Sequence, residues 1–380
     1  MHDDISSVTY NELGDFLGGT RNSEQHQRPD TWCRVLAQVA FVLSGLVLIL
    51  LNQYLADCGV NSPYAGFNGM AKGGGFLFCA AAWSLCFGAP SLSWKRLRNV
   101  ALVAYPVAIC DICDTVLATG GIVWAKSGLF VIAFSSITVW VALLRRLCLK
   151  QRLSWNKWCS VVAITLAIGA SGAQSIDVKS DIVLRVIGVA ATLIAAFADA
   201  CMYIFVEKLL KNNEKVLEDE ELNALRKVSP FELLTFVGII STIFSFVWIF
   251  TFFIGGWWVE DISIIIGCGF PNSTSSGTSS STSSGTTLVY YLVLWSILGI
   301  IGFGVHYVSF FYLVKHENCL TASVSKASQS AIIFFLSSVF FCSRSNAQCL
   351  STLKVVCAAV VCLSVVLYSA PVQKKVSCIG

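Results

Sequence analysis

Six ionisable side chains interrupt long apolar runs in this 380-residue chain: Lys72, Asp111, Asp114, Asp199, His306 and Lys326. Such a group is costly to take out of water, so inside an apolar segment it pairs, faces a wet cavity or carries a proton. Lys326 has the most polar setting, LTASVSKASQS at 320–330. On a helix, Thr321, Ser323, Ser325, Lys326, Ser328, Gln329 and Ser330 form one broad arc, with Val324, Ala327, Ala331, Phe334 and Phe335 on the rest. Serine and threonine can bond their own backbone or join helices. Lysine and glutamine need water, an anion or a carboxylate. The arc reads as cavity lining, with Lys326, Gln329, Ser325 and Thr321 as candidate substrate contacts.

Lys72 sits among Gly69, Gly73, Gly74 and Gly75, which permit close backbone approach. It either meets substrate or snorkels to a nearby interface. Asp111 and Asp114 share a helix face at i,i+3, with Thr115 beside them. Two carboxylates this close with no cation near share a proton, which suits proton coupling. With Lys72 or Lys326 between them they form a fixed ion pair instead. Asp199 shares a face with Thr192 and Tyr203 and has the same two readings. His306 lies on a Gly299–Gly302–His306 face, where a lone histidine is more often a packing residue than a proton carrier. Tyr203 and Tyr307 are aromatic candidates for stacking on a ligand.

These residues need helices to carry them through an apolar medium. Ten stretches are each about long enough to cross a bilayer, which takes roughly 20 apolar residues: 35–56, 66–90, 100–119, 122–144, 157–174, 184–206, 231–254, 288–312, 319–341 and 352–370. The chain is 56% hydrophobic and only 13% charged, against about 25% charged in a soluble domain. The expected fold class is an all-α polytopic membrane protein. Residues 1–34 read as a disordered cytosolic tail without a signal peptide. A first five-helix unit covers 35–174, a short non-cytosolic loop 175–183, a second five-helix unit 184–370, and a cytosolic tail 371–380.

Lysine and arginine collect in cytosolic loops. With the N-terminus inside, the cytosolic segments hold 19 of the 26 basic residues, so the net charge of +4 reports topology and not a nucleic-acid surface. Loop 255–287 then lies on the opposite side. It contains Asn272-Ser273-Thr274, a glycosylation acceptor that is either used or a chance tripeptide. Its Ser/Thr/Gly run within 271–287 reads as a disordered tether. The segment after Glu207-Lys208 reads as a solvated helix extension, with that pair as an end cap. Of the 16 cysteines, most act as small apolar residues within spans. Cys58, Cys268, Cys342 and Cys349 lie near the non-cytosolic side and are able to pair, with no partner specified.

Residues 124–172 and 316–369 resemble each other: a small or polar helix start, an apolar stretch, a polar hairpin, then a Val/Ala/Leu/Ile-rich helix. Five spans separate the copies, which inverts the second. Inverted repeats with a midplane site are the architecture of many secondary transporters. Three passages carry a resemblance to the drug/metabolite transporter superfamily with EamA-like repeats. These are Asp111–Trp158, with Ser127-Gly128 opening span 4 and LLRRLCLKQRLSWNKW closing it; AAFADACMYIFVEKLLK at 195–211; and LTASVSKASQS. Within the superfamily the chain is similar to nucleotide-sugar transporters and their orphan solute-carrier relatives.

The resemblance implies alternating access to a small polar organic solute, first of all nucleotide-sugar/nucleotide exchange in a Golgi or ER membrane. Lys326 and Lys72 would then meet phosphate, with Tyr203 and Tyr307 on base or sugar. The alternative is a proton-coupled carrier of a metabolite or organic cation, using Asp111, Asp114, Asp199 or His306. Another endomembrane or the plasma membrane is also open, as is a non-transporting receptor or scaffold. No protease, metalloenzyme or cofactor fingerprint occurs, so no enzyme, cofactor or metal is expected. The expected partners are the substrate, the lipid bilayer and a second copy of the chain.

Overall fold

The computed structural model describes residues 31–57, 67–87, 94–151, 153–173, 182–211, 229–254, 290, 293–294, 296–342, 349 and 351–369. The described residues form helices and no strands. In chain order these are α1 (Thr31–Asp57), α2 (Phe67–Phe87), α3 (Trp94–Ser135), α4 (Ile137–Cys148), α5 (Trp155–Ala173), α6 (Ile182–Lys211) and α7 (Pro230–Ile254). A π-helical turn, Leu298–Gly304, leads into α8 (Val305–His316), followed by α9 (Cys319–Phe341) and α10 (Thr352–Ser369). Asn272 and the Ser-rich loop, Cys58 and Cys268, and residues 1–30 and 371–380 of the two tails lie outside the described residues; residues 31–34, expected in the N-terminal tail, form the first turn of α1.

The exterior is apolar. Leu36, Leu102, Leu166 and Phe250 are each well exposed, while Lys72, Asp111, Asp114 and Asp199 are buried. That inversion of the water-soluble pattern suits a lipid surround. Five helical segments are long and apolar enough to cross a membrane: Trp32–Leu55, Leu97–Ala125, Val183–Lys211, Pro230–Thr251 and Cys319–Phe340.

One boundary differs from the sequence expectation. A break was expected between 119 and 122, yet helical backbone continues from Trp94 to Ser135, 42 residues. A straight helix of that length would be about 63 Å, roughly twice the hydrocarbon thickness. It is not straight. Gly121 backs onto Thr192 and Ala125 onto Gly188 of α6, so numbering there runs in opposite senses. Further on, Trp140 packs edge-on against Phe197 and Arg145 reaches Glu207, so numbering rises together. The chain therefore reverses after Ala125, and two antiparallel runs lie beside α6. Helical backbone covers both expected stretches, of which Leu97–Ala125 is long and apolar enough to cross a membrane; the expected non-helical link between them is absent.

Polar ends are capped locally. At the start of α7, the Ser229 N–H donates to Glu232 Oε2 at 2.9 Å and the Glu232 N–H to Ser229 Oγ at 3.1 Å. This is a reciprocal capping box with Pro230 at the first helical position. Asn318 caps α9 by accepting from the Thr321 N–H at 2.9 Å. Where α2 meets the π-helical turn, Gly75 approaches the Gly299 carbonyl so closely that a Cβ would overlap it, which fixes a backbone-to-backbone contact. Beyond α9, Cys342 and Cys349 form a disulfide, one of the pairings the sequence left open.

The packing pairs follow a pattern. α1 lies against α8 and α9, as α6 lies against α3 and α4. α2 packs on α7, α4 on α9 and α5 on α10.

Candidate functional site

The expected residues gather into two ion pairs, one buried and one part-buried, joined by aromatic rings. The glycine-rich start of α2 lets Lys72 reach α3 without snorkelling; it is 2% exposed. Its Nζ lies 2.6 Å from Asp111 Oδ1 and 3.7 Å from Asp114 Oδ2, and donates to Thr115 Oγ1 at 2.8 Å. Asp111 also accepts from Tyr307 Oη and Ser241 Oγ, each at 3.1 Å. Three donors therefore hold Asp111, two on Oδ1 and one on Oδ2. Asp114 is different: Oδ1 is buried and has no hydrogen-bond partner.

The second pair joins α9 to α6. Lys326 Nζ lies 2.6 Å from Asp199 Oδ2 and over the rings of Phe134 and Tyr203, at 4.5 and 5.7 Å. A low-dielectric surround strengthens both pairs but also makes each charge costly without its partner. Phe310 bridges them: its ring stands 4.3 Å from Tyr203 and 6.2 Å from Tyr307. Tyr307 in turn lies beneath Lys72, 4.8 Å from the ammonium.

A cavity of about 30 Å³ borders the first pair, room for roughly two waters. Lys72, Asp111, Asn68, Thr115, Thr119, Ser241 and Ser245 supply its polar wall, and Phe244 and Trp248 its aromatic one. Tyr203 and Lys326 lie outside it. The remaining α9 candidates do not line it either. Ser325, Ser328 and Ser330 hydroxyls donate to backbone carbonyls four residues back, and Ser323 to one three back. Thr321 donates to the Asn318 side chain. Gln329 is buried against Gly45 of α1. His306 takes the packing role: it stacks on Phe41 at 4.2 Å, with Nδ1 3.1 Å from the Phe41 carbonyl and 3.3 Å from Ser44 Oγ.

A second polar cluster closes one end of the bundle. Glu207, 1% exposed, accepts from Arg145 at 3.4 Å, Lys211 at 3.1 Å and the Cys319 N–H at 3.0 Å. Its carboxylate meets the positive end of the α9 dipole. Arg145 also donates to Asn318 Oδ1 at 3.1 Å. Lys211 donates to the Glu317 carbonyl at 2.7 Å, and Arg34 to Glu317 Oε1 at 3.1 Å. Helices α1, α4 and α6 are thus tied to the α8–α9 turn. This clasp was not expected from sequence. Glu207 stands beside Lys208 at a helix end and reads as a solvated cap; only its distance to Arg145, 62 residues away, reveals the role.

The cavity faces the opposite end. Asn68 opens α2 just after α1 has finished, Thr119 is near the reversal in α3, and Trp248 is in the last two turns of α7. Among the described residues, no group of three or more histidines, cysteines, aspartates or glutamates is arranged to hold a metal.

No family model matches the chain. Over 160 residues it is 26% identical to an uncharacterized protein of Schizosaccharomyces pombe, a match that covers 41% of this chain and 44% of that protein. The chain therefore spans less than half the length of that relative. It is also similar to a protein of known crystal structure, with a TM-score of 0.55 and 11% identity, over 87% of this chain and 98% of the other. At that identity the likeness is one of fold, and most of this helical bundle shares it.

Proposed function

We propose that this chain is a secondary transporter that moves a small polar organic solute by alternating access. The observation that carries this reading is the axial arrangement of the polar groups. Two ion pairs, one buried and one part-buried, stand in an apolar-faced bundle, an ionic clasp seals one end, and a polar and aromatic cavity leads toward the other. The matched packing of α1 with α8 and α9, and of α6 with α3 and α4, supports two inverted five-helix repeats and ten spans. Rocking of such halves about a midplane site is the transport mechanism of many repeat folds. The clasp end is the basic end of the sequence, which supports cytosolic termini and a cytosol-closed state.

The charge balance favours proton coupling with a metabolite or organic cation. Both central lysines are already held by carboxylates, and three acids face two cations. Nucleotide-sugar exchange remains the second reading, favoured by Lys72 standing in the cavity wall with Phe244 and Trp248, a cation and rings that suit phosphate and base.

Proteoliposome uptake separates the two. Vesicles preloaded with single nucleoside monophosphates are offered labelled nucleotide sugars, with and without a pH gradient, and a panel of labelled amines and amino acids is tested in parallel. Gradient-driven accumulation of an amine or amino acid supports the first reading. Trans-stimulation by one nucleotide, independent of the gradient, overturns it for the second. No uptake of any probe, from protein that is folded and correctly inserted, counts against transport.

A further inference from the structure

We propose that Asp114 is the group that carries the coupled proton, an inference that rests on the proton-coupled reading above. Five charged groups meet at the centre. Lys72 and Lys326 supply two positive charges, and Asp111, Asp114 and Asp199 three negative ones. Fully ionised, the cluster holds a net charge of −1 in a largely buried setting, with Lys326 16% and Asp114 10% exposed. An uncompensated charge in such a place is costly, so one more positive charge is favoured there.

Geometry selects the site. Asp111 has three donors on it, and Asp199 has the Lys326 ammonium at 2.6 Å. Asp114 is nine-tenths buried; its Oδ2 is 3.7 Å from Lys72, beyond hydrogen-bond length, and its Oδ1 has no hydrogen-bond partner. The titratable groups that act on it come from its own helix and four others: Asp111 from α3, Lys72 from α2, Asp199 and Tyr203 from α6, Tyr307 from α8 and Lys326 from α9. Among them Asp114 is the carboxylate whose protonation breaks no hydrogen bond and gives up only the 3.7 Å contact with Lys72.

The step is balanced simply. A hydronium delivers its proton to an Asp114 oxygen, an O–H bond forms, and the cluster passes from −1 to neutral. After the bundle reorients, that O–H bond breaks and water on the other side takes the proton. Lys72 stands between Asp111 and Asp114 and is placed to turn toward Asp114 when its proton leaves.

Infrared spectroscopy of the full chain in liposomes tests the assignment without any substrate. At neutral pH the wild type should show the C=O stretch of a protonated aspartic acid. Asp114→Asn should abolish it, since that cluster is neutral without a proton. Asp114→Glu should move it to the glutamic-acid frequency, while Asp111→Glu and Asp199→Glu leave it in place. Absence of the band in the wild type, or its movement in either of the other glutamate variants, would overturn the proposal. Failure here leaves the transport reading to the uptake assay. A band that behaves as expected, in a protein whose uptake ignores the pH gradient, would remove the coupling and with it the proposed role.

Discussion

Replacing Glu207 with glutamine should loosen one end of the bundle. The amide keeps the shape of the carboxylate and a carbonyl for the Cys319 N–H, but removes the charge that holds Arg145 and Lys211. A hydrogen bond to a charged group contributes about 1.5–3 kcal/mol. Lys211 is a third exposed, so its share is small. The net loss is therefore taken as about 2 kcal/mol, which shifts the closed-to-open equilibrium roughly 30-fold. Cys319 reports the shift because its side chain is fully buried in the clasp. In a variant whose other cysteines are replaced, the labelling rate of Cys319 by a small water-soluble maleimide should rise roughly 30-fold on Glu207→Gln. Glu207→Asp should give a smaller increase. An unchanged rate in protein that is monodisperse and normally folded would refute the reasoning, because it would mean that the carboxylate holds nothing closed.

Other perturbations probe the core. Lys72→Met leaves Asp111 and Asp114 without their cation and should cost about 3–5 kcal/mol, seen as a lower thermal midpoint in detergent. Adding Asp111→Asn should recover more than half, and a double variant no more stable than the single would contradict the ion-pair account. A Lys326→Met, Asp199→Asn double-mutant cycle should give a coupling energy of about 2 kcal/mol by chemical denaturation, whereas additive losses would show that the 2.6 Å contact carries little energy. Gly75→Ala meets the Gly299 carbonyl and should destabilise by about 1–3 kcal/mol. Gly74→Ala has nothing within 4 Å and should be neutral or stabilising; equal effects at the two positions would argue against the close helix crossing.

The helices were legible because hydrophobic length is a strong signal. Most expected spans fall within a few residues of an observed helix, from α1 through α10. The reversal in α3 was misjudged at the level of backbone: Gly120-Gly121 looked like a break, yet Gly121 serves packing against Thr192 and the helix continues through it. The polar core was legible as a set of residues and not as a set of pairs. Periodicity puts Asp111 and Asp114 on one face, but which lysine they meet depends on how α2 crosses α3. The α9 arc is ambiguous in sequence for a physical reason. A serine hydroxyl that donates to its own helix is indistinguishable in sequence from one that faces a cavity. Glu207 was missed because burial at a helix end depends on the neighbouring α8–α9 turn, which no local pattern encodes.

The serines of α9 bear on movement. Ser323, Ser325, Ser328 and Ser330 all spend their protons on carbonyls of the same helix. A helix whose hydroxyls are satisfied internally presents a polar-looking surface that owes little to its neighbours. It can slide or rotate against α1 and α4 without breaking those bonds, and internal hydroxyl bonds of this kind also let a helix bend. In α9 the side-chain ties to neighbouring helices are few: the first turn is bound into the clasp, Thr138 of α4 donates to the Ser323 carbonyl at 3.2 Å and Lys326 holds Asp199, so the serines themselves add no attachment that a bend of the helix would have to break.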